Sequence, residues 1–449
     1  MGRLFGTDGV RGIANSELMP ETAFKLGKAG SFVLSKNEKS PIVLIGKDTR
    51  ISGDMLEDAL SAGILSMGGN VIKVGVLPTP AIAYLVKYYN ADAGVVISAS
   101  HNTFEYNGIK FFNGEGFKLD DDIEDQIEEI IIRDIEINGH ITGDKLGRCL
   151  EAEDDALELY AKFLESTMDV RLDGMKVVLD CANGAAYKVA GKVFEDLGAK
   201  VIIIANKPDG ININDQCGST HPEKLQEAVI KNKANLGLAF DGDADRLIAV
   251  DEKGRIVDGD KTIYICAKML KETGQLPGNL VTATVMSNLG FHKALEKIGC
   301  NLEITSVGDR YVLESMIKTG CAIGGEQSGH IIFLNHTTTG DGILSALQLI
   351  KAVKLSGKEI SSLADEVTIY PQVLKNARIK NENKKKYDKD LIIIDEIKKV
   401  ENKMAGEGRV LVRPSGTEPL VRVMIEGENI KDITKLAEDL AELITKRLG

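Results

Sequence analysis

The sequence predicts an α/β protein built from several domains. Short apolar runs that end in glycine or in polar loops recur along the chain, and stretches with helical periodicity separate them. This alternation is typical of parallel sheets with crossover helices. The chain has 449 residues, which is about three times the length of a typical domain. We therefore expect three α/β units of roughly 100 residues each and a smaller α+β domain at the C-terminus.

The first predicted domain covers residues 1–155. Its apolar runs are PIVLIG, NVIKVGV and AGVVIS, and they alternate with the helical segments ETAFKLGKAGSFVLSK and DMLEDALSAGILSMGG. A charged stretch with helical periodicity, EAEDDALELYAKFLEST, then carries the chain across the domain boundary.

The second and third predicted domains cover residues 156–253 and 254–368. The second begins near GMKVVLDCANG and continues through KVIIIANKPDG and NLGLAFDGDADRLIAVDEKG, so its strands end in loops rich in glycine and aspartate. The third runs through NLVTATVMSN, NLEITSVGDRYV and CAIGGEQSGHIIF at a comparable spacing. No residue-level repeat is visible, so any similarity of the units lies in their architecture.

The last predicted domain covers residues 369–449. After the lysine-rich stretch NENKKKYDKD, we expect a strand pair around GRVLVRPSGTEPLVRVMIEGE and then a helix. Apolar residues recur in that helix at spacings of three and four, so one of its faces is expected to pack on a sheet. These residues are Ile430, Ile433, Leu436, Leu440, Leu443 and Ile444. Acidic residues within the lysine-rich stretch favour a solvated loop or helix face over a phosphate-binding patch.

Composition excludes several classes of function. The chain carries 55 Lys and Arg against 67 Asp and Glu, a formal net charge of −12, which disfavours binding to nucleic acid. The opening residues MGRLFGTDGVRG lack the pattern of a signal peptide, and no apolar run approaches about 18 residues. We therefore expect a cytoplasmic protein with no membrane and no nucleic-acid partner. The six cysteines form no CxxC pair, so we expect free thiols without a zinc site.

The segment DGDADR carries the first candidate site. Asp241, Asp243 and Asp245 occupy alternate positions of one loop after the apolar run NLGLAF, and Gly242 permits a sharp bend there. Hard divalent cations prefer such oxygen ligands. The pattern predicts a magnesium site, and an aspartate-rich turn that caps its own backbone is the structural alternative.

Two other interpretations of this loop differ in chemistry. An EF-hand needs glycine where Arg246 stands and helices on both sides, whereas apolar strands are expected around DGDADR. The calcium interpretation therefore fails on its context. An aspartyl phosphatase would use Asp241, directly after an apolar strand, as its nucleophile. This interpretation remains an alternative.

Hydroxyl groups mark two further loops. The run GVVISASHN predicts a buried strand that opens into a loop, the place where α/β sheets carry reactive groups. Ser98 and Ser100 are both candidates for accepting a phosphoryl group, or hydroxyls that close a local turn. Near the C-terminus, RPSGTEP groups Arg413, Ser415 and Thr417 around a glycine, which favours a phosphate-binding loop or a hairpin turn.

Five motifs taken together are more specific than any one of them. They are FGTDGVRG at 5–12, SASHN at 98–102, DGDADR at 241–246, GEQSGH at 325–330 and RPSGTEP at 413–419. With these motifs in this order, the chain resembles the α-D-phosphohexomutase superfamily across essentially its whole length, and most closely the bacterial phosphoglucosamine mutases. The resemblance implies three similar α/β domains and a smaller fourth domain around a central cleft.

The resemblance also implies how the chemistry is distributed. Ser100 would carry the phosphoryl group as a phosphoserine that activates the enzyme. The three aspartates of DGDADR, together with Ser100, would hold one Mg²⁺ ion. For the proton that leaves the attacking sugar hydroxyl, the family positions implicate Lys110, Arg11 and His330, and the choice among them stays open.

Further residues are implied at the substrate. Glu326 and Ser328 match positions that bind sugar hydroxyls, and Arg246 matches a contact to the reacting phosphoryl group. The clamp on the non-reacting phosphate is implied at Arg413, Ser415, Gly416 and Thr417. In the segment KDTR, Lys47 and Arg50 either add positive charge to the site or are solvated loop residues.

The activity implied is the interconversion of glucosamine 6-phosphate and glucosamine 1-phosphate through a bound 1,6-bisphosphate. Such an isomerase supplies amino-sugar nucleotide and cell-wall precursor synthesis. Its partner is a small hexosamine phosphate, and a homodimer is left open. The alternatives are a phosphomannomutase or phosphoglucomutase of the same superfamily, the Asp241 phosphatase, and a magnesium-dependent sugar-phosphate sensor that does not isomerise its ligand.

Overall fold

The described residues of the chain form two compact units. The computed structural model describes residues 4–6, 8–34, 40–135, 137, 141–383, 386–404, 406–415 and 418–449. The first unit comprises Met1–Thr284 and Glu303–Ala364, and the second comprises Val285–Leu302 and Asp365–Gly449. The boundaries of the four domains expected from the sequence do not coincide with this division and stay a prediction.

The N-terminal sheet has six strands. They are β1 (Val10–Ile13), β2 (Ile42–Lys47), β3 (Asn70–Val76), β4 (Ala93–Ile97), β5 (Tyr106–Asn113) and β6 (Cys149–Leu150). The accompanying helices are α1 (Pro20–Leu34), α2 (Gly53–Ser66), α3 (Thr79–Tyr88) and α4 (Asp121–Ile132). The strand order is β1-β5-β4-β2-β3-β6. The proline at the start of α1 suits the first turn of a helix, where its missing N–H costs no hydrogen bond.

The second sheet has five strands, reached through a connecting helix. The elements are α5 (Ala156–Ser166), β7 (Lys176–Asp180), α6 (Val189–Asp196), β8 (Lys200–Ile204), α7 (Glu223–Asn232), β9 (Leu236–Phe240), β10 (Leu247–Asp251) and β11 (Ile256–Val257). The strand order is β11-β10-β9-β7-β8. Asp155 caps α5 by accepting hydrogen bonds from two backbone N–H groups of its first turn.

The third sheet has four strands. The elements are α8 (Gly259–Glu272), β12 (Leu280–Thr284), α9 (Leu289–Lys297), β13 (Asn301–Thr305), α10 (Asp309–Thr319), β14 (Ile323–Gly325), β15 (Ile331–Phe333), α11 (Gly342–Ser356) and α12 (Ile360–Ala364). The strand order is β13-β12-β14-β15. Short 3₁₀ helices lie at Gly143–Lys145, Ala185–Tyr187, Pro277–Asn279 and Asn381–Asn383.

The three sheets share one topology. In each, the first strand of the unit (β2, β7, β12) lies between the second (β3, β8, β13) and the third (β4, β9, β14). The first and third strands pair in parallel, so the strand order reverses between them. The carboxyl ends of strands at such a reversal form the usual ligand crevice of open α/β sheets. This common order confirms the predicted set of three similar α/β domains.

An antiparallel fourth strand adds to the predicted parallel pattern. β5, β10 and β15 each run antiparallel to the strand before them in the chain. The connecting loops are residues 98–105, 241–246 and 326–330. These loops are too short for a crossover, which needs about a dozen residues or more, so the next strand returns antiparallel. Three of the five sequence motifs therefore lie in these hairpin loops.

The C-terminal domain is the smaller α+β unit that the sequence predicts. Its elements are β16 (Gln372–Arg378), α13 (Leu391–Met404), β17 (Gly408–Pro414), β18 (Leu420–Gly427) and α14 (Ile430–Leu448). The strands form an antiparallel sheet in the order β16-β18-β17. Ile433, Leu440 and Ile444 of α14 are buried in its core. Ile430 is 49% exposed, because it begins the helix, so its predicted place on the packed face is wrong.

The cysteines and the lysine-rich stretch agree with the sequence analysis where the structure describes them. All six cysteines are free, and five of them are buried. In the lysine-rich stretch, Lys386 and Lys389 are exposed, as a solvated segment requires. Its residues 384 and 385 lie outside the described part of the chain.

Candidate active site

In the first unit, Ser100 contacts the DGDADR loop, which is the predicted metal-binding loop. Its hydroxyl donates a hydrogen bond to Asp241 Oδ2 at 2.7 Å, and His101 Nδ1 lies 3.4 Å from the same Oγ. Ser98 is fully buried and its Oγ accepts the Ser100 N–H at 3.0 Å. Ser100 therefore presents its hydroxyl to the carboxylate of Asp241, whereas the Ser98 hydroxyl is engaged by the Ser100 N–H and by Asp48.

The DGDADR loop gathers its three carboxylates at one point. One carboxylate oxygen from each of Asp241, Asp243 and Asp245 lies within 4.8 Å of the other two, and all three residues are buried. Gly242 permits this approach, because a Cβ there would come within 2.5 Å of the Ser100 carbonyl oxygen. Ala244 takes a left-handed φ of 57°, which turns the next side chain inward.

The electrostatics of this loop fit a hard cation. Burial raises the pKa of Asp241 well above its ordinary value, and the neighbouring carboxylates of Asp245 and Asp243 raise it further. In the part of the chain that the structure describes, the buried Oδ1 atoms of Asp243 and Asp245 have no hydrogen-bond partner. Their Oδ2 atoms contact Lys110 and His330, but a buried carboxylate oxygen that accepts no hydrogen bond is costly unless a cation neutralises it. The residues present therefore suit a divalent metal ion.

Lys110 is a buried cation at the edge of the metal loop. Its Nζ lies 2.8 Å from Asp243 Oδ2 and 2.9 Å from Asp8 Oδ2. Burial opposes its charge, yet the carboxylates of Asp243 and Asp8 raise the pKa of Lys110 above its ordinary value. Lys110 is therefore positively charged at neutral pH, where an acceptor of protons would have to be neutral.

Asp8 joins three basic side chains. Besides Lys110, it contacts Lys118 at 2.7 Å and forms a short ion pair with Arg11. Lys118 in turn forms a short ion pair with Asp309 at the start of α10. A row of alternating charges thus runs from the metal loop to the third sheet.

His330 closes this row from the other side. Its Nδ1 lies 3.4 Å from Asp245 Oδ2 and its Nε2 lies 3.8 Å from Asp309 Oδ2. Burial alone would lower the pKa of His330, but the two carboxylates raise it. The Nε2 atom accepts a hydrogen bond from Gly340 N–H at 3.1 Å. Both ring nitrogens therefore have partners within the protein.

The other residues predicted in the first unit lie on the same hairpin loops. The backbone N–H of Arg246 donates to Asp241 Oδ1 at 3.2 Å. Ser328 Oγ donates to Glu326 Oε2 at 3.4 Å, and Glu326 Oε1 accepts from Gly308 N–H at 3.1 Å. Arg246 pairs in an isolated β-bridge with His330, so the metal loop and the GEQSGH loop are adjacent.

The residues predicted to clamp the non-reacting phosphate belong to the second unit. Arg413 at the end of β17 faces Arg422 of β18 directly across the sheet. Burial lowers the pKa of Arg413, and the neighbouring Arg422 lowers it further. Arg422 also pairs with Glu418 at 3.5 Å, so one carboxylate stands beside two guanidinium groups, and the remaining positive charge suits an anion. Ser415 is buried, while Gly416 and Thr417 lie outside the described residues.

Neither basic residue of KDTR takes the role predicted for it, which was to add positive charge to the site or to lie in solvent. Lys47 Nζ lies 2.6 Å from both Asp54 and Glu57, so carboxylates of α2 neutralise it. Arg50 is neither solvated nor unpaired: it is buried and donates to the backbone of the Ser100 loop.

Several residues of the site have no local signal in the sequence. Asp8 and its partner Arg11 both stand inside the motif FGTDGVRG, but its other basic partners, Lys110 and Lys118, come from distant segments. Thr79, the first residue of α3, donates a hydrogen bond from its Oγ1 to Asp243 Oδ2 at 2.7 Å. Lys118, Asp309 and Thr79 are joined to the site only by tertiary folding.

Family comparison covers the whole chain. The phosphoglucomutase/phosphomannomutase models match as alpha/beta/alpha domain I at residues 2–137, domain II at 158–254, domain III at 258–370 and the C-terminal domain at 374–443. The chain therefore belongs to the phosphoglucomutase/phosphomannomutase family. The resemblance predicted from the motifs is confirmed, and with it the enzyme class, an isomerase that transfers a phosphoryl group.

The relatives narrow the class further. The chain is 58% identical over 447 residues to the phosphoglucosamine mutase of Clostridium novyi (strain NT), covering 100% of this chain and 99% of that protein. It is 56% identical over 449 residues to the phosphoglucosamine mutase of Alkaliphilus metalliredigens (strain QYMF), covering 100% of both. Both relatives are phosphoglucosamine mutases, the group that the sequence motifs resemble most closely.

Solved structures share the fold at low identity. A phosphoglucomutase/phosphomannomutase family protein from Burkholderia thailandensis matches with a TM-score of 0.80 and 23% identity over 99% of this chain and 97% of that one. The N-acetylphosphoglucosamine mutase of Aspergillus fumigatus, solved with GlcNAc-6P and magnesium, matches with a TM-score of 0.72 and 17% identity over 100% and 96%. Within the described residues, no helix has the length and apolar character needed to cross a membrane.

Proposed function

We propose that this chain interconverts glucosamine 6-phosphate and glucosamine 1-phosphate. The observation that carries the proposal is the contact between Ser100 Oγ and the buried aspartate triad, in a chain similar over its full length to phosphoglucosamine mutases. The expected substrate is a small hexosamine phosphate that feeds amino-sugar nucleotide and cell-wall precursor synthesis. The cytoplasmic location and the homodimer stay predictions.

Ser100 is proposed as the carrier of the phosphoryl group. The free hydroxyl of the sugar phosphate attacks the phosphorus of phosphoserine 100, the new P–O bond forms, and the bond to Ser100 Oγ breaks. The 1,6-bisphosphate then turns within the site, and Ser100 Oγ attacks its other phosphoryl group. Glucosamine 1-phosphate leaves and the phosphoserine is restored. Atoms and charge balance over the cycle, because each transfer regenerates one hydroxyl and consumes one.

Asp241, Asp243, Asp245 and the phosphorylated Ser100 are proposed to hold one Mg²⁺ ion. When bound, this ion neutralises negative charge on the transferring phosphoryl group. The carboxylates themselves place three negative charges beside a phosphate of about −2 charge. The fit is supported by the buried Oδ1 atoms of Asp243 and Asp245, which accept no hydrogen bond from the described residues.

Lys110, Arg11 and His330 are proposed to handle charge and protons at the reacting oxygens. Lys110 is held as a cation between two carboxylates, which supports electrostatic stabilisation of the phosphoryl group. Arg11 is proposed as a second cation, because a guanidinium group offers only hydrogen-bond donors. Of the three side-chain types, only histidine has an unperturbed pKa near neutrality. His330 is therefore the candidate for proton transfer, once its Nε2 atom no longer accepts the Gly340 N–H.

Recognition of the sugar and its second phosphate completes the proposal. Glu326 and Ser328 are proposed to bind the sugar hydroxyls, and Arg246 to contact the reacting phosphoryl group. The non-reacting phosphate is assigned to the RPSGTEP loop, that is, to Arg413, Ser415, Gly416 and Thr417. The facing guanidinium groups of Arg413 and Arg422 support an anion site there.

One assay separates this proposal from its alternatives. Purified protein with Mg²⁺ is given glucosamine 6-phosphate, and glucosamine 1-phosphate and inorganic phosphate are both followed for the unmodified chain and Ser100→Ala. The proposal expects the 1-phosphate without net phosphate release, and its loss in Ser100→Ala. Net phosphate release that survives in Ser100→Ala would indicate the Asp241 phosphatase, and binding without either product would indicate a sensor. Faster turnover of mannose or glucose phosphates would indicate the other mutases of the family.

A further inference from the structure

We infer that Arg50 and Asn214 are positioning residues, which hold the backbone of Ser100 in the conformation that aims its hydroxyl at the metal loop. Neither side chain contacts the Ser100 hydroxyl. Both act on the carbonyl groups of residues 100–106. The inference deepens the proposed function and rests on it, because it assigns the residues that align the phosphoryl carrier.

The backbone of Ser100 needs external support. Its φ is 52°, in the left-handed region that serine rarely adopts. Its N–H donates to the side chain of Ser98, not to a backbone carbonyl, and Ser98 Oγ donates in turn to Asp48. Such strained backbone persists only where its surroundings determine it. Side chains, and not a regular strand, therefore fix this residue.

Arg50 supplies the first part of that support. Its guanidinium group donates to the carbonyl oxygens of Ser100 at 3.0 Å, Asn102 at 2.9 Å and Tyr106 at 3.0 Å, with a further short bond to Thr103. Its Nε donates to Asp48 Oδ2 at 2.8 Å. All three nitrogens of one planar fork are thus engaged. The two terminal nitrogens make four hydrogen bonds to the Ser100–Tyr106 segment, a geometry that a lysine cannot reproduce.

Asn214 supplies the second part from the loop between β8 and α7. Its Nδ2 donates to the carbonyl oxygens of Ser100 and Asn102, both at 2.9 Å. The opposite orientation of the amide would place Oδ1 against two carbonyl oxygens, so only this orientation is favourable. The Ser100 carbonyl therefore accepts from two side chains that come from different sheets.

These contacts bear on the transfer step more than on substrate binding. Phosphoryl transfer depends on alignment, and misplacement of a reacting atom by about 1 Å can cost about 100-fold in rate. Among the described residues, neither Arg50 nor Asn214 has a hydrogen bond or ion pair with a residue assigned to the sugar or to its second phosphate. Their loss should therefore reduce kcat and leave KM nearly unchanged.

The test compares Arg50→Lys and Asn214→Gly with the unmodified chain in the isomerisation of glucosamine 6-phosphate with Mg²⁺. Lysine keeps the charge of Arg50 without its fork, and glycine keeps the positive φ of Asn214 accessible without its amide. We expect kcat to fall about 100-fold for Arg50→Lys and about tenfold for Asn214→Gly. The KM of each is expected to stay within about threefold of the unmodified value.

Two matched controls are available. Arg171 is an exposed arginine that also donates to a backbone carbonyl, that of Asp196 at 2.8 Å. Asn90 is an exposed asparagine with a φ of 51°. Arg171→Lys and Asn90→Gly repeat the two substitutions away from the site, and both should keep the unmodified kcat.

The outcomes are distinct. Unchanged kcat in folded Arg50→Lys and Asn214→Gly would overturn the inference, and so would a loss confined to KM. If Arg50→Lys fails to fold, Asn214→Gly decides, because it removes only the contacts of one amide. An unmodified chain that isomerises no hexose phosphate would instead refute the proposed function.

Discussion

The hydroxyl of Ser100 donates to Asp241 Oδ2 at 2.7 Å although the two residues are 141 positions apart in the sequence. Hairpin loops of two different sheets meet at this pair of oxygen atoms. A phosphate on Ser100 would bring further negative charge against a buried carboxylate. A cation between them is therefore needed for both groups to stay charged.

Removal of divalent cations is expected to abolish isomerisation and to lower Tm, and added Mg²⁺ should restore both. Without a cation the three carboxylates repel one another, and burial together with Asp245 and Asp243 raises the pKa of Asp241. In EDTA, Asp241→Asn should therefore be more stable than the unmodified chain by about 1 kcal/mol. It should also lose most of the Mg²⁺-dependent rise in Tm. Thermal unfolding in EDTA and in Mg²⁺ measures both effects. The same Tm for the unmodified chain in EDTA and in Mg²⁺ would contradict this prediction.

Lys110→Met is expected to destabilise the fold by about 3 kcal/mol, because it removes the buried cation from Asp243, while Asp8 keeps Lys118 and Arg11. Its kcat/KM should fall at least about 100-fold. Lys110→Arg keeps the charge and should retain more activity than Lys110→Met. Urea unfolding and steady-state kinetics check these effects.

The same variants distinguish a cation from a base at Lys110. The carboxylates of Asp243 and Asp8 outweigh burial and raise the pKa of Lys110, so the group does not titrate near neutral pH. The pH–rate profile of Lys110→Arg should therefore keep the shape of the unmodified profile. Disappearance of one limb of the profile in Lys110→Arg would identify Lys110 as the base.

Asp341 makes stability depend on pH. Burial raises the pKa of Asp341 to about 6, although its Oδ2 accepts a 2.7 Å hydrogen bond from the Tyr160 hydroxyl. The folded chain holds this proton to higher pH than the unfolded chain, whose aspartate pKa is about 3.9. Its stabilising contribution is thus present below about pH 4 and is lost as the pH rises to about 6.

Asp341→Asn removes that titration and still caps α11, because asparagine is an equally good N-cap residue. Relative to this variant, the unmodified chain is expected to lose about 2 to 3 kcal/mol of stability between about pH 4 and pH 7. Urea unfolding of both proteins across the range measures the difference. A difference that stays constant with pH would show that Asp341 does not titrate in this window.

Arg413→Gln is expected to raise the KM for glucosamine 6-phosphate at least about tenfold, because the non-reacting phosphate loses a charged donor. Stability should rise by about 0.5 kcal/mol, since Arg413 and Arg422 face each other across the sheet. Arg171→Gln, at an exposed arginine outside the assigned site, serves as the control, with KM expected within about twofold. Equal KM values for the two variants would argue against Arg413 as the phosphate contact.

Apolar runs predicted most of the strands, because strands that are buried on both faces of an α/β sheet consist almost entirely of hydrophobic residues. The run NVIKVGV is β3, Asn70–Val76, residue for residue. Strand direction was not predictable in the same way. The run LIAVD after DGDADR reads as a strand, yet only the six-residue length of the loop 241–246 forces it antiparallel to β9.

Local motifs identified the site residues that act as a group within one loop. Ser100 and the three aspartates stand in such motifs, and the structure brings them together. Lys118 and Asp309 do not, because their ion pair joins positions 191 residues apart. Arg50 was noted in KDTR, but its chemistry depends on carbonyl groups that only the folded Ser100 loop presents.

The position of the phosphoryl group during turnover tests the central claim most directly. Protein mixed with glucosamine 6-phosphate and Mg²⁺ is stopped during turnover, digested and analysed by mass spectrometry, in parallel with Ser100→Ala. The account predicts phosphate on Ser100 and a loss of isomerisation of at least about 1,000-fold in Ser100→Ala. Phosphate on Asp241 or another residue, or undiminished isomerisation by Ser100→Ala, would contradict it.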